Sequence, residues 1–255
     1  MALQPGKLLL SSVPVAALAA ATLALAGCGG SPAASSTNSA GASASSAPAS
    51  SAAASPTAAT TASGEPAAAP PAGYQWVGIT AQHIWLAVPD SWVVLNLNSL
   101  SVQQAMDRVK LKGSSAAQLR ADIQNLKQDH ALMVMDTASV ATSPNKFATN
   151  INTFCATAPI KPGPGAASAI ESGIKTEYTK IGGRVISMHA ITDTSAAVIV
   201  KIEVDLQSAS GITAHELQYV DLTSSGQVCY TTFTTDRPAT FFPQFEKIAA
   251  TIHTS

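Results

Sequence analysis

Three cysteines, five histidines and three tryptophans hold most of the chemistry open to this 255-residue chain. Cys28 stands directly after Leu25-Ala26-Gly27, whereas Cys155 and Cys229 lie in strand-like surroundings. Two thiols can close a disulfide in an oxidising compartment, and one thiol with a distant His can act as a nucleophile. The histidines are His83, His130, His189, His215 and His253. No two stand at i, i+4 or at a zinc-ligand spacing, and His215-Glu216 opens no H-E-x-x-H, so no metal is expected. Gly163-Pro164-Gly165 has the outline of a phosphate loop, but Pro164 removes a backbone N–H that such a loop needs. It reads as a connector, and no cofactor is implied. No G-x-S-x-G elbow occurs, although convergent triads need no local motif, which keeps a hydrolase open as an alternative. Trp76, Trp85 and Trp92 fall within 17 residues. They could line a groove for sugar or lipid, or anchor the first strands to a core; Trp92 reads as structural and Trp76 stays open.

The start of the chain reads as an address. Met1 to Lys7 is short and basic, Leu8 to Ala26 is an uncharged Leu/Ala/Val run, and small residues precede Cys28. These are the marks of a secretory signal over residues 1–27. Leu25-Ala26-Gly27-Cys28 resembles the lipobox of bacterial lipoproteins. That resemblance implies a diacylglyceryl group on Cys28 and cleavage before it, so that the lipid anchors the protein on the outer face of the cell membrane. Two acyl chains are needed because a single chain anchors only marginally. The alternative is an uncleaved signal anchor, since 19 residues are long enough to span. In an exported domain the remaining even pair, Cys155 and Cys229, favours a bridge over a nucleophilic thiol. It would close a loop of about 75 residues and contribute about 4 kcal/mol in the chain-entropy picture.

Residues 28–72 comprise Cys28 and a linker whose Gly29–Pro71 tract is rich in Ala, Ser, Thr, Pro and Gly, with Glu65 its single charge. Such a tract buries too little apolar surface to offset ordering entropy and is expected to be a disordered linker, with a typical span of about 35 Å. Aromatics, charges and β-branched residues arrive together only from Tyr74, which leaves 73–255 as one globular domain of ordinary size. Loss of Lys7 with the signal leaves 13 basic against 15 acidic residues. Without a basic run or stripe, nucleic acid is excluded as a partner.

The domain's elements must position whatever site exists. Val198, Val200, Ile202, Val204 and Leu206 alternate with Lys201, Glu203 and Asp205, a strand with one wet face. His215–Leu222 and Gln227–Thr234 read as a hairpin about Thr223-Ser224-Ser225-Gly226. Trp85–Val88, Trp92–Leu97, Leu132–Met135, Phe147–Ala156 and Arg184–His189 are further strands. Helices are expected after the capping-box patterns at Ser101 to Gln104, ending at Gly113, and at Ser115 to Gln118. Two more carry Ile170, Ile174, Tyr178 and Ile181, and Phe241, Phe245, Ile248 and Ile252 after Pro238. Antiparallel strands with separated helices argue for α+β: a mostly antiparallel sheet covered by helices.

Three short stretches carry a family resemblance. Val88-Pro89-Asp90-Ser91-Trp92-Val93 is similar to the opening V-P-x-x-W strand of PsbP-like α/β/α sandwich domains. Phe147-Ala148-Thr149-Asn150-Ile151-Asn152 resembles the F-x-x-N-I-N strand of actinobacterial LpqN-type lipoproteins, and Phe242 to Ile248 resembles their last helix. The helical hairpin at Ser101 to Asp129 and the two domain cysteines depart from that pattern. The resemblance implies a non-catalytic binding or accessory module with no shared catalytic residues. Its expected partners are the membrane through Cys28 and an envelope lipid, a glycan or a protein. An envelope hydrolase and a purely protein-docking module are the alternatives.

Overall fold

Turn chemistry and strand alternation cut the described residues from Tyr74 onward into ten strands, five α-helices and one 3-10 turn at Thr80–Gln82. The computed structural model describes residues 64–254 except 111–113, 159, 195 and 208–210. The signal, Cys28, the linker up to residue 63 and the stop at Gly113 therefore lie outside the described residues. The elements are β1 (Tyr74–Ile79), β2 (Ile84–Pro89), β3 (Val93–Asn96), α1 (Val102–Val109), α2 (Ser114–Gln128), β4 (Leu132–Asp136) and the single turn α3 (Ser139–Thr142). They continue with β5 (Thr149–Thr157), α4 (Ala166–Lys180), β6 (Arg184–Asp193), β7 (Ala197–Gln207), β8 (Thr213–Thr223), β9 (Gln227–Thr235), α5 (Pro238–Ala249) and β10 (His253–Thr254).

Several ends obey local chemistry. Ser101 caps α1 with both arms of the capping box: its hydroxyl accepts from Gln104 N at 3.1 Å and Gln104 Oε1 accepts from Ser101 N at 2.8 Å. The helix stops sooner than expected, because Lys110 takes a left-handed conformation at φ 57°. α2 begins at Ser114, one residue before the expected capping Ser115. The β8–β9 turn closes through Gly226 N to Thr223 O at 3.0 Å, with Gly226 at φ 80°. That positive φ is costly for any residue with a Cβ.

The α+β class holds. Seven strands form one fully antiparallel sheet in the order β3-β4-β5-β9-β8-β7-β6. A second sheet, β1-β2-β10, joins the first and last strands of the domain to β2. The turn Pro89-Asp90-Ser91 therefore carries the chain from one sheet to the other and does not close a β2–β3 hairpin. Two helical groups cover one face of the large sheet. α1 and α2 pack Met106, Leu119, Ile123 and Leu126 against Leu95, Met133 and Phe154. α4 packs Ile170, Ile174 and Tyr178 against the expected apolar row from Val198 to Leu206, all of it at most 4% exposed. The small sheet and α5 share the opposite face, with Phe241, Phe245 and Ile248 meeting Phe233 and Tyr219. All six residues of β2 are buried, because this strand is enclosed within its own sheet and stacked on the large one.

Cys155 and Cys229 are direct cross-strand partners on β5 and β9 and are joined as a disulfide, with Cα atoms 4.0 Å apart. Trp85 and Trp92 are core residues at 8% and 5% exposure. Trp76 is half-buried, and its indole N–H donates to the Ala68 carbonyl at 2.8 Å, tying the residues ahead of β1 to the domain.

Gly78 makes the packing of Trp85 possible. A Cβ built at Gly78 would lie 2.4 Å from the Ile84 carbonyl oxygen and 2.4 Å from ring atoms of Trp85. Gly78→Ala is therefore expected to overpack the β1–β2 pair at a cost of about 1–3 kcal/mol. At about 2–4 °C per kcal/mol for a domain of this size, thermal unfolding followed by circular dichroism should show a clear fall in Tm. An unchanged Tm would mean that the two strands separate freely.

Candidate functional site

Two polar arrangements interrupt the apolar core, one on each face of the large sheet. On the helix-covered face the central strands carry two rows. Asn150, Thr234 and Glu216 are register neighbours across β5, β9 and β8, and Asn152, Thr232 and Gln218 form the next row. All six are at most 3% exposed. They occupy the part of the sheet between the α1–α2 cluster and the α4 cluster. Tyr178 reaches in from α4 and donates its hydroxyl to Glu216 Oε2 at 3.0 Å, while Gln218 Nε2 donates to Thr232 Oγ1 at 2.8 Å. Asn150 Oδ1, Asn152 Nδ2, Glu216 Oε1, Gln218 Oε1 and Thr234 Oγ1 are buried without a hydrogen-bond partner among the described residues. Burial pushes the Glu216 carboxyl up to about 8, against the opposing pull of the Tyr178 hydrogen bond. Burial, with Glu216 alongside, also holds Tyr178 well above the usual phenol range.

These rows explain the F-x-x-N-I-N stretch. Ile151 faces the opposite core while Asn150 and Asn152 supply one third of the ladder. The signal in the sequence was the shared phase: polar residues at i and i+2 flank an apolar one in Asn150-Ile151-Asn152, Glu216-Leu217-Gln218 and Thr232-Phe233-Thr234. Strand alternation identifies each set but not that all three share a buried face.

On the other face a groove of about 240 Å³ opens between α5 and strands β6 to β9. Its walls are mainly apolar, with Ile84, Ile191, Ile199, Ala250 and Ile252 among them. Cys229 lines it as well, so the disulfide is part of the scaffold under the groove. The rim is polar but largely self-satisfied. Tyr219 donates to Glu246 Oε2 at 2.5 Å and Lys201 pairs with Glu246 Oε1. Burial pushes Glu246 upward, but the hydrogen bonds from Lys201 and Tyr219 outweigh it and hold the carboxyl below its usual range. Burial raises Tyr219, with Glu246 adding to the shift. Asp221 accepts from Thr254 Oγ1 at 2.9 Å, and its second oxygen is buried without a partner among the described residues. Burial raises this carboxyl, and the Thr254 bond partly offsets the rise.

The histidines are dispersed. His215 Nδ1 lies 2.6 Å from Asp205, His130 Nδ1 lies 2.9 Å from Asn98, and His253 sits on β10 opposite Trp85. Among the described residues no three His, Cys, Asp or Glu gather as metal ligands. Gly163 to Gly165 forms the connector into α4, with Gly165 left-handed at φ 83° just before the helix. Two Ser-x-x-Lys spacings occur, Ser143 to Lys146 and Ser172 to Lys175. In the first, the Ser143 hydroxyl donates to Asp236 at 2.6 Å rather than serving Lys146. In the second, Ser172 and Lys175 are both exposed on α4.

The buried carboxyl gives a pH signature with a definite sign. Glu216 holds its proton in the folded state up to about pH 8, whereas its ordinary value is 4.5. Its stabilising contribution is full below pH 4.5 and is lost as pH rises toward 8. Glu216→Gln should flatten this fall, since the neutral amide can still accept from Tyr178. Urea midpoints at pH 5 and pH 8 would check it, and an equal fall in the variant would remove Glu216 as the cause.

No family model matches the chain, and no curated protein matches it. Among solved structures it is similar to the solution structure of cyanobacterial PsbP (CyanoP) from Synechocystis sp. PCC 6803. The TM-score is 0.45 and the identity 15%, over 72% of this chain and 94% of that one.

Proposed function

We propose that the protein is a non-catalytic binding module of the cell envelope, held on the outer face of the cell membrane by a diacylglyceryl group on Cys28. Its groove beside α5 takes the apolar chain of an envelope lipid. The observation that carries this reading is the groove itself, apolar along its walls and bounded by polar side chains already paired with one another. Small-molecule sites are characteristically apolar clefts with a few placed polar groups, and about 240 Å³ suits one chain better than a bulky headgroup. Asp221, with one buried oxygen free, is the group placed to fix a hydroxyl or amine at the end of that chain. The lipid reading of Cys28 rests on the lipobox-like Leu25-Ala26-Gly27-Cys28 and the apolar run before it.

Native mass spectrometry of the full chain extracted from its own membranes should show a second lipid mass beyond the covalent one. Ala250→Trp, which fills the groove from an exposed position, should lower that occupancy at least tenfold. A bare protein mass, or equal occupancy in the variant, would overturn the lipid reading. Separately, Cys28→Ala should move the protein from the membrane fraction to the soluble fraction, and retention would argue for an uncleaved anchor.

A further inference from the structure

The groove beside α5 is lined by two acids, Asp221 and Glu246, and by no basic residue. The two acids stand in opposite situations. Glu246 is matched on both oxygens, since Tyr219 donates to Oε2 and Lys201 pairs with Oε1. His189 adds to the positive field there, so the basic side chains at this rim serve Glu246. Thr231, the remaining hydroxyl on the wall, shares a hydrogen bond with Thr153 at 2.9 Å. Asp221 has no such cation. Its Oδ2 accepts from Thr254 at 2.9 Å, its Oδ1 has no partner, and it enters no ion pair among the described residues. In the sheet it is flanked by Ile199 and Cys229. A largely desolvated carboxylate without a countercharge is costly, and a cation brought to it would relieve that cost. A second feature has the same sign. The last turn of α5 lines the groove through Ala249 and Ala250, and a helix C-terminus carries partial negative charge that favours a cation. Lys247, the basic residue of that turn, is exposed and does not line the groove.

We propose that the groove takes a lipid chain ending in a primary ammonium and turns away chains ending in a carboxylate or phosphate, with Asp221 as the residue that sets this preference. The preference rests on the lipid reading of the groove, whose isoleucine walls hold the chain itself. An ammonium brings three donors and no acceptor, which suits a wall whose unmatched group is an acceptor oxygen. Its hydrogen bond to a carboxylate is charge-assisted and roughly twice as strong as a neutral one. A hydroxyl can make the same hydrogen bond but leaves the charge of Asp221 and the end of α5 unanswered. A carboxylate or phosphate brings a like charge to Asp221 and to the negative end of the helix. Apolar walls screen that repulsion less than open water would.

The test is native mass spectrometry of the full chain with decylamine, 1-decanol or decanoate added at one concentration. Decylamine should occupy the protein at least tenfold more than decanoate, with 1-decanol between them. Asp221→Asn can still accept from Thr254 and carries no charge. It should lower decylamine occupancy at least tenfold, leave 1-decanol within about twofold and raise decanoate. Comparing wild type and variant with the same probe cancels whatever fraction of that probe enters detergent. Ala250→Trp should remove all three probes, which ties the binding to the groove. Equal occupancy by decylamine and decanoate, or a decylamine signal unmoved by Asp221→Asn, would overturn the ammonium preference and leave the lipid reading standing. Decylamine that persists in Ala250→Trp binds elsewhere and would also overturn it. Binding of none of the three would overturn the lipid reading, and the preference with it. If Asp221→Asn fails to fold, the wild-type ratio of decylamine to decanoate decides alone.

Discussion

A seven-stranded antiparallel sheet covered on both sides at its centre forces most other choices in this structure. β5, β9 and β8 must present something dry and paired to both layers. On one side they offer Ile151, Phe233 and Leu217, and the stacked aromatic side chains of α5 close over them. On the other they offer amides, hydroxyls and a carboxyl, which no apolar helix face can satisfy. The helical layer accordingly divides into the α1–α2 pair and α4, each with its own apolar cluster, and Tyr178 bridges to the polar rows between them. A buried polar patch of this size costs stability wherever an atom lacks a partner, so the apolar clusters around it must be well packed.

The legible parts of the fold were those decided within about ten residues. The β7 alternation, the β8–β9 turn at Gly226, the Ser101 capping box and Pro238 at the start of α5 each state their structure locally. Features decided by distant partners were not legible. β1 and β10 belong to one small sheet only because β2 lies between them, and the two end strands are separated by most of the domain. β6 read as a strand only to His189, although it runs to Asp193, because two bulges break its period. Among candidate sites, the cross-strand Cys155–Cys229 pair agrees with the expectation of a bridge in strand-like segments. The groove draws its walls from β2, β6, β7, β8, β9 and the end of α5, so no local motif could announce it. The tryptophans show the limit of residue type as evidence, since two of the three are packed as core.

The position of the disulfide within the chain gives the domain an internal boundary. Every buried residue of the α4 cluster, from Ala166 to Val228, lies between Cys155 and Cys229. One of the three cores therefore sits inside a covalently closed ring, while the other two are built mainly from chain outside it, with Ala214, Leu217 and Tyr219 crossing the boundary. A peptide-bond break anywhere within that ring would release no fragment. The nicked half would stay attached through sulfur, with its strands still in register beside β9, until a reductant arrived. Such a ring keeps a single backbone break from becoming the loss of a segment, and the redox state of its surroundings decides how long that lasts.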